Sequence, residues 1–198
     1  MTLPKIGVIL STTRPNRFAD KPASWIMELA ARRGDLALEL VDLRDYPLAF
    51  FDAPMSPAHA PIEDEVAQRW SRRISGLDGY IFVVAEYNHS IPAALKNALD
   101  YTYNEFARKP AAYLGYGGVG AARAIEQLRL ISIEQQIAPT RAGVHIGMEP
   151  FLGILQQGKT LDDFDYLVTS ANAMLDDLAW WTNALKTGRE AVEITKAA

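Results

Sequence analysis

A chain of 198 residues is long enough for one α/β domain with a sizeable core. Its 20 basic and 24 acidic residues leave a net charge of −4 with no concentrated basic run, which argues against nucleic acid as a partner. Cysteine is absent, which excludes disulfides, thiol catalysis and thiolate metal sites and fits a cytoplasmic protein.

Met1-Thr2-Leu3-Pro4-Lys5 leads straight into an apolar run, with no basic region ahead of a long hydrophobic one, so no signal peptide is expected. No uncharged apolar stretch approaches the roughly 18 residues that a membrane span needs. Ile6-Gly7-Val8-Ile9-Leu10 reads as a buried parallel strand. Ala23, Ile26, Met27 and Ala30 recur at helical spacing, which predicts a helix over 20–33 with Gly34 as its stop. Leu36 to Leu43 alternates in part, as a strand near a sheet edge does.

Residues 44–61 carry Pro47, Pro54, Pro57 and Pro61 and are expected to form a long irregular loop. Ile62, Val66, Trp70 and Ile74 mark the next helix. Tyr80-Ile81-Phe82-Val83-Val84 is the most apolar strand and belongs at the centre of a sheet. Ile91, Ala94, Leu95, Ala98 and Leu99 make one helical stripe, with Pro92 tolerated in its first turn. A fourth strand follows over Ala111–Tyr116, then a helix over Ala121–Gln136 and a fifth strand over Thr140–Ile146. The last helix is expected over 161–186, burying Phe164, Leu167, Val168, Ala171, Leu175, Leu178 and Leu185. No repeat or linker interrupts the chain, so residues 1–198 are expected to form a single domain.

Strict alternation of strand and helix implies an α/β fold: one parallel sheet covered on both faces. Five strands of these lengths fit the flavodoxin-like three-layer sandwich of order 2-1-3-4-5. Loops after strands 1, 3 and 4 then meet in one crevice, where open α/β sheets bind ligands.

The first of these loops is Ser11-Thr12-Thr13-Arg14-Pro15-Asn16-Arg17-Phe18. Its hydroxyls, two guanidiniums and the N–H groups of the following helix are what a phosphate needs. Ser, Thr and Asn in such a turn also serve as ordinary helix caps. The second is Glu86-Tyr87-Asn88-His89-Ser90, where backbone N–H groups after a strand offer uncharged donors to a flat ring. Asn88 and Ser90 could equally cap the next helix, with Ser90 expected to do so. Tyr87 could simply pack, and Glu86 could be a structural acceptor or a subunit contact. His89 is read as a bystander. The third, Gly115-Tyr116-Gly117-Gly118-Val119-Gly120, contains Gly-x-Gly-x-x-Gly. It follows the fourth strand rather than the first and lacks the acidic residue about 20 positions on that a dinucleotide fingerprint requires.

Together the loops closely resemble those of the NADPH-dependent FMN reductase family, whose members have a flavodoxin-like fold. Ser11-Thr12-Thr13-Arg14-Pro15-Asn16-Arg17 is similar to its Gly-Ser-Thr-Arg-Pro-Gly-Arg loop. Glu86-Tyr87-Asn88 with Leu95-Lys96-Asn97-Ala98-Leu99-Asp100 is similar to its Pro-Glu-Tyr-Asn loop and following helix, with Ala85 at the proline. Arg123-Ala124 and Gln127-Leu128-Arg129 match the residues after its glycine-rich turn. The resemblance spans about residues 5–146.

It implies that Thr12, Arg14 and Arg17, with Ser11 and Asn16 at positions the family fills with glycine, hold an FMN phosphate. It also implies that Glu86, Tyr87, Asn88, Ser90, Tyr116, Gly117 and Gly118 lie along the flavin. NADPH or NADH is the implied electron donor, and a flavin, quinone, azo dye or metal ion the acceptor. Since the flavin carries the chemistry, no catalytic side chain is expected. No metal site is expected either, because His59, His89 and His145 have no ligand spacing. A flavodoxin-type electron carrier is the alternative; such carriers are usually more acidic than this chain. A domain that has lost its flavin is a further one. The resemblance implies a homodimer or homotetramer, with candidate contacts in the 44–61 loop, Tyr101–Tyr103 and Trp180–Trp181.

Overall fold

The computed structural model describes residues 3–60 and 62–197, with side chains to residue 192. Met1 and Thr2, expected ahead of the first strand, and Pro61, expected in the long loop, lie outside the described residues. Strands β1 (Lys5–Leu10), β2 (Ala37–Asp42), β3 (Gly79–Ala85), β4 (Pro110–Tyr116) and β5 (Ala138–Ile146) form one sheet. All pairings are parallel and the order is β2-β1-β3-β4-β5, as expected. Every residue of β3 and β4 is buried, whereas β2 is only partly covered, which makes β3 central and β2 an edge.

The sheet is covered by α1 (Asp20–Arg33), α2 (Glu65–Ser75), α3 (Ala93–Asp100), α4 (Ala122–Glu134), α5 (Met148–Gln156) and α6 (Asp165–Ala197). Because side chains alternate along a strand, successive residues feed opposite cores. Val8, Ile81 and Leu114 pack with Ile26 and Leu29 of α1 and Leu175 of α6. Ile9, Phe82 and Tyr113 pack on the other face with Trp70 of α2, Leu95 of α3 and Leu128 of α4. The Trp70 indole N–H donates to the Ala98 carbonyl at 2.8 Å, so the largest core side chain carries no orphan donor.

Several boundaries differ from expectation for local reasons. Asp64 caps α2 by accepting from the Ala67 N–H at 2.7 Å, so Ile62 precedes the helix. Pro92 is the N-cap of α3 rather than part of its first turn. Ala121 takes φ 57° and so stands outside α4. The last helix starts at Asp165, after a short 3-10 turn at Leu161–Asp163, and runs past residue 186. Helix α5 was not anticipated: Gly147, Pro150 and Gly153 break up its apolar spacing. Gly34 ends α1 in the left-handed region at φ 70°, as expected.

The edge of the sheet where strands begin is tied down by charge. Asp78 accepts from the Lys5 N–H at 3.0 Å, from Lys186 Nζ at 2.9 Å and from Arg189 at 3.4 Å. Buried Lys109 donates to the Ser75 carbonyl at 2.8 Å and the Ile74 carbonyl at 3.3 Å, closing the end of α2. Burial, then the charge of Arg189, draws its ammonium down to about 8. The unfolded chain keeps that proton to lysine's ordinary value near 10.5, so between these values it binds more protons than the folded chain. Stability should therefore rise as pH is raised from 8 to 9.5. Urea midpoints at the two pH values test this, and the rise should be lost in Lys109→Met.

Candidate functional site

At the opposite edge the three loops after β1, β3 and β4 converge, as the strand order requires. Loop 1 (11–18) begins with two buried hydroxyls. Ser11 extends β1: its N–H donates to the Val83 carbonyl at 3.1 Å, and its Oγ accepts from the Ala85 N–H at 3.1 Å. Its side chain thus points into the end of β3 and away from the loop's concave side. Thr12 Oγ1 is 2.8 Å from the Tyr87 hydroxyl, which joins loop 1 to loop 2. Asn16 takes φ 51°, the conformation its glycine counterpart would adopt freely. A positive φ after the fixed negative φ of Pro15 is the alternation that gathers successive N–H groups into an anion-binding concavity. The N–H groups of Thr13, Asn16 and Arg17 have no protein acceptor among the described residues.

The two arginines of loop 1 differ sharply. Arg14 is exposed, with its guanidinium 5.7 Å from the centre of the Tyr87 ring. The Arg17 side chain is only 3% exposed. It donates to Asp20 Oδ1 from Nε at 2.9 Å and Nη2 at 2.7 Å, and to the Thr12 carbonyl and Asp42 Oδ1 from Nη1, each at 2.7 Å. A further Nη2 bond reaches Asp42 Oδ2. Among the described residues this engages all five guanidinium donors. Burial raises the Asp42 carboxyl, but the N–H groups of Arg17 and Arg44 outweigh it and hold the carboxyl below its usual range.

Loop 2 (86–90) is a tight turn. The N–H and carbonyl of Tyr87 and Ser90 bond reciprocally at 3.0 Å, with Asn88 at φ 51° and His89 at φ 68°. Two positive φ values are the signature of a type I′ turn. Ser90 does not cap α3: its hydroxyl donates to Gln127 Oε1 at 2.6 Å. Glu86 proves to be a structural acceptor. Its side chain is 5% exposed, pairs with Arg123 and accepts from the N–H groups of Arg123 at 3.2 Å and Ala124 at 3.4 Å. A carboxylate there sits on the positive end of α4. Burial raises its pKa, but Arg123 and those N–H groups prevail and keep it below the ordinary glutamate range. Arg123 also lies 2.8 Å from His89 Nε2, and Gln127 donates to the His89 carbonyl at 2.9 Å. Helix α4 therefore holds loop 2 from outside.

Loop 3 (115–121) needs its glycines. A Cβ on Gly115 would lie 2.6 Å from the Gly120 carbonyl oxygen, and Gly117 takes φ 142°. Gly120 and Ala121 are left-handed as well, and His145 Nδ1 fixes the turn 2.9 Å from the Gly120 carbonyl.

A cleft of about 310 Å³ opens where the loops meet, within the range of small-molecule sites. Arg14, Asn16, Arg17 and Lys21 line it with Glu86 and Tyr87, Tyr116 and Gly117, and Phe151 and Leu155 of α5. Phe18 joins the wall, its ring centre 5.2 Å from Tyr116 and 4.6 Å from Phe151. A second cleft lies between Leu43–Phe50 and α3, but takes only Thr13 from the three loops. Of the expected residues, Arg14, Asn16, Arg17, Glu86, Tyr87, Tyr116 and Gly117 line the first cleft; Ser11, Thr12, Asn88, Ser90 and Gly118 belong to its loops. Lys21, Asp42, Arg44, Arg123, Phe151 and Leu155 were not anticipated as site residues. The i, i+3, i+7 spacing of Met148, Phe151 and Leu155 was the readable signal for the α5 wall. Among the described residues no cluster of His, Asp or Glu could hold a metal ion.

The cleft suits FMN: an exposed cation and free N–H groups for a phosphate, aromatic walls, and at Gly117 a backbone with φ 142° that leaves no side chain in the lining. Residues 4–149 match the family described as NADPH-dependent FMN reductase. An NAD(P)H-dependent FMN reductase of Schizosaccharomyces pombe is 37% identical over 141 residues, covering 69% of this chain and 70% of that one. A quinone reductase of Pseudomonas putida is 33% identical over 132 residues, 62% of this chain and 67% of that one. Among solved structures, FerB, a flavoenzyme NAD(P)H:(acceptor) oxidoreductase of Paracoccus denitrificans, superposes with TM-score 0.70 at 22% identity, covering 89% and 97% of the two chains. At that identity the likeness concerns the fold.

Glu86→Gln should lower stability by about 0.3–1 kcal/mol at pH 7, the usual worth of a charge at a helix end. Because the folded carboxyl titrates below its unfolded value, its contribution is present above that value and lost as pH falls through the folded one. Urea titrations at pH 7 and pH 4 should show the difference between wild type and variant shrinking at the lower pH.

Proposed function

Because the chain belongs to the NADPH-dependent FMN reductase family, we propose that the cleft formed by loops 1, 2 and 3 is its FMN site and serves reduction of a flavin or quinone by NAD(P)H. The observation that carries this reading is the convergence of the loops on one cleft, with cations at the phosphate loop and aromatic rings beside the glycine turn. FMN, when bound, supplies the chemistry by which a nicotinamide hydride reaches a second acceptor.

The protein's part is to bind and orient. Arg14, Lys21 and the free N–H groups of loop 1 meet the phosphate. Tyr87, Asn88 and Ser90 of loop 2 and Tyr116, Gly117 and Gly118 of loop 3 lie along the ring. The type I′ turn offers peptide groups to the ring edge without a titrating side chain, and Phe18, Phe151 and Leu155 keep water off one side. Hydride transfer needs no protein acid or base, so His89, which faces Arg123, is assigned to the support of loop 2.

Assembly into a homodimer or homotetramer and a cytoplasmic location belong to the same proposal. Phe50 at 83% exposed, Leu130 at 70% and Trp180 at 63% are apolar surface suited to subunit contact. Tyr101, by contrast, is buried in the core. Among the described residues no helix is long and apolar enough to cross a membrane.

The test is the visible spectrum of purified protein with FMN, taken anaerobically before and after NADPH. Bound flavin should bleach within seconds; flavin that stays oxidised with both NADPH and NADH would favour an electron carrier. Arg14→Ala should weaken FMN binding roughly tenfold, the scale of one charge-assisted phosphate contact. Equilibrium dialysis measures it.

A further inference from the structure

Three successive carbonyl groups of loop 1 are held by two arginine side chains. The Thr12 carbonyl accepts from Arg17 Nη1 at 2.7 Å. The Thr13 carbonyl accepts from Arg44 Nε at 3.4 Å, and the Arg14 carbonyl accepts from Arg44 Nη2. Both arginines are organised by one carboxylate at the end of β2. Asp42 bonds the Arg17 guanidinium through both oxygens and accepts from the Arg44 backbone N–H at 3.0 Å.

A peptide group's carbonyl and N–H point in opposite directions. Pinning the Thr12, Thr13 and Arg14 carbonyls to two guanidiniums therefore fixes the opposite ends of the same peptides: the Thr13 N–H is left without a protein acceptor among the described residues, the Arg14 N–H donates to Thr12 Oγ1 at 3.4 Å, and Pro15 has none. With their lone pairs engaged by guanidiniums, these three carbonyls do not repel an anion bound at the loop. Arg17 serves this arrangement with every donor it has, and through it bridges the end of β1, the first turn of α1 at Asp20 and the end of β2.

We propose that Asp42 is a positioning residue for the flavin phosphate: it clasps Arg17 and Arg44, which orient the peptide groups of loop 1, and Arg17 acts through that clasp rather than by touching the phosphate. Resting on the FMN reading of the cleft, this assigns function to a strand-end aspartate that carries no motif. It also divides the two arginines of loop 1 into a ligand-facing one, Arg14, and a buried organiser, Arg17.

The test is a double-mutant cycle read as affinity for FMN and for riboflavin, which lacks the phosphate. Asp42→Asn and Arg17→Ala should each weaken FMN binding roughly tenfold, and the double variant should be no weaker than the worse single one, as for residues acting as a unit. Riboflavin affinity should change less than about twofold, a selectivity that general destabilisation would not produce. Asp42→Asn, nearly isosteric, guards against simple loss of fold, and its melting temperature is recorded alongside. The proposal is overturned if Asp42→Asn leaves FMN affinity unchanged or raises it, since a freed Arg17 would then serve the phosphate itself. Additive losses, or equal losses for both ligands, overturn it too. If the wild-type chain fails to prefer FMN to riboflavin, the FMN reading of the cleft falls, and the clasp proposal with it.

Discussion

Burial of β3 and β4 on both faces is the constraint from which the rest follows. Strands with helices on either side are apolar along most of their length, so ligand-facing groups gather at their ends, as Tyr116 does at the end of β4. Polar chemistry is displaced to the strand ends, and parallel pairing puts all the outgoing ends on one edge. The order β2-β1-β3-β4-β5 then sends the chain to opposite sides after β1 and β3, which leaves the gap that the loops border.

Within that gap, backbone conformation carries as much of the design as side chains do. Loop 2 is two left-handed residues closed by reciprocal hydrogen bonds. Loop 3 depends on a glycine at 115 because the Gly120 carbonyl passes where a side chain would stand. Left-handed conformations at Asn16, Asn88, His89 and Ala121 are strained without support. The support is visible in each case where a neighbour reaches in: Glu86, Arg123 and Gln127 around loop 2, and His145 behind loop 3.

Sheet order, element types and the three loops were legible in the sequence because each rests on local pattern: apolar runs, helical stripes, and hydroxyl, glycine or arginine residues at strand ends. What was not legible depends on partners distant in sequence. The commitment of Arg17 to Asp42 spans 25 positions, and that of Glu86 to Arg123 spans 37. Ser90 looked like a cap because hydroxyls before a helix usually are, and only the proximity of Gln127 diverts it. Asp42 and Arg44 read as ordinary residues closing an edge strand. Helix α5 escaped because Pro150 and Gly153 fall within a segment of only nine residues, although the fold still uses its apolar stripe.

Helix α6 runs from the cleft side of the sheet to the opposite edge, where Lys186 and Arg189 reach Asp78. Its anchoring ties therefore sit at the far end of the molecule from the loops. Such a separation lets short segments around the cleft drift, or be exchanged, while the ties that hold the sheet remain intact. A scaffold of this kind can acquire new electron acceptors by small changes at one rim, with folding cooperativity retained at the other.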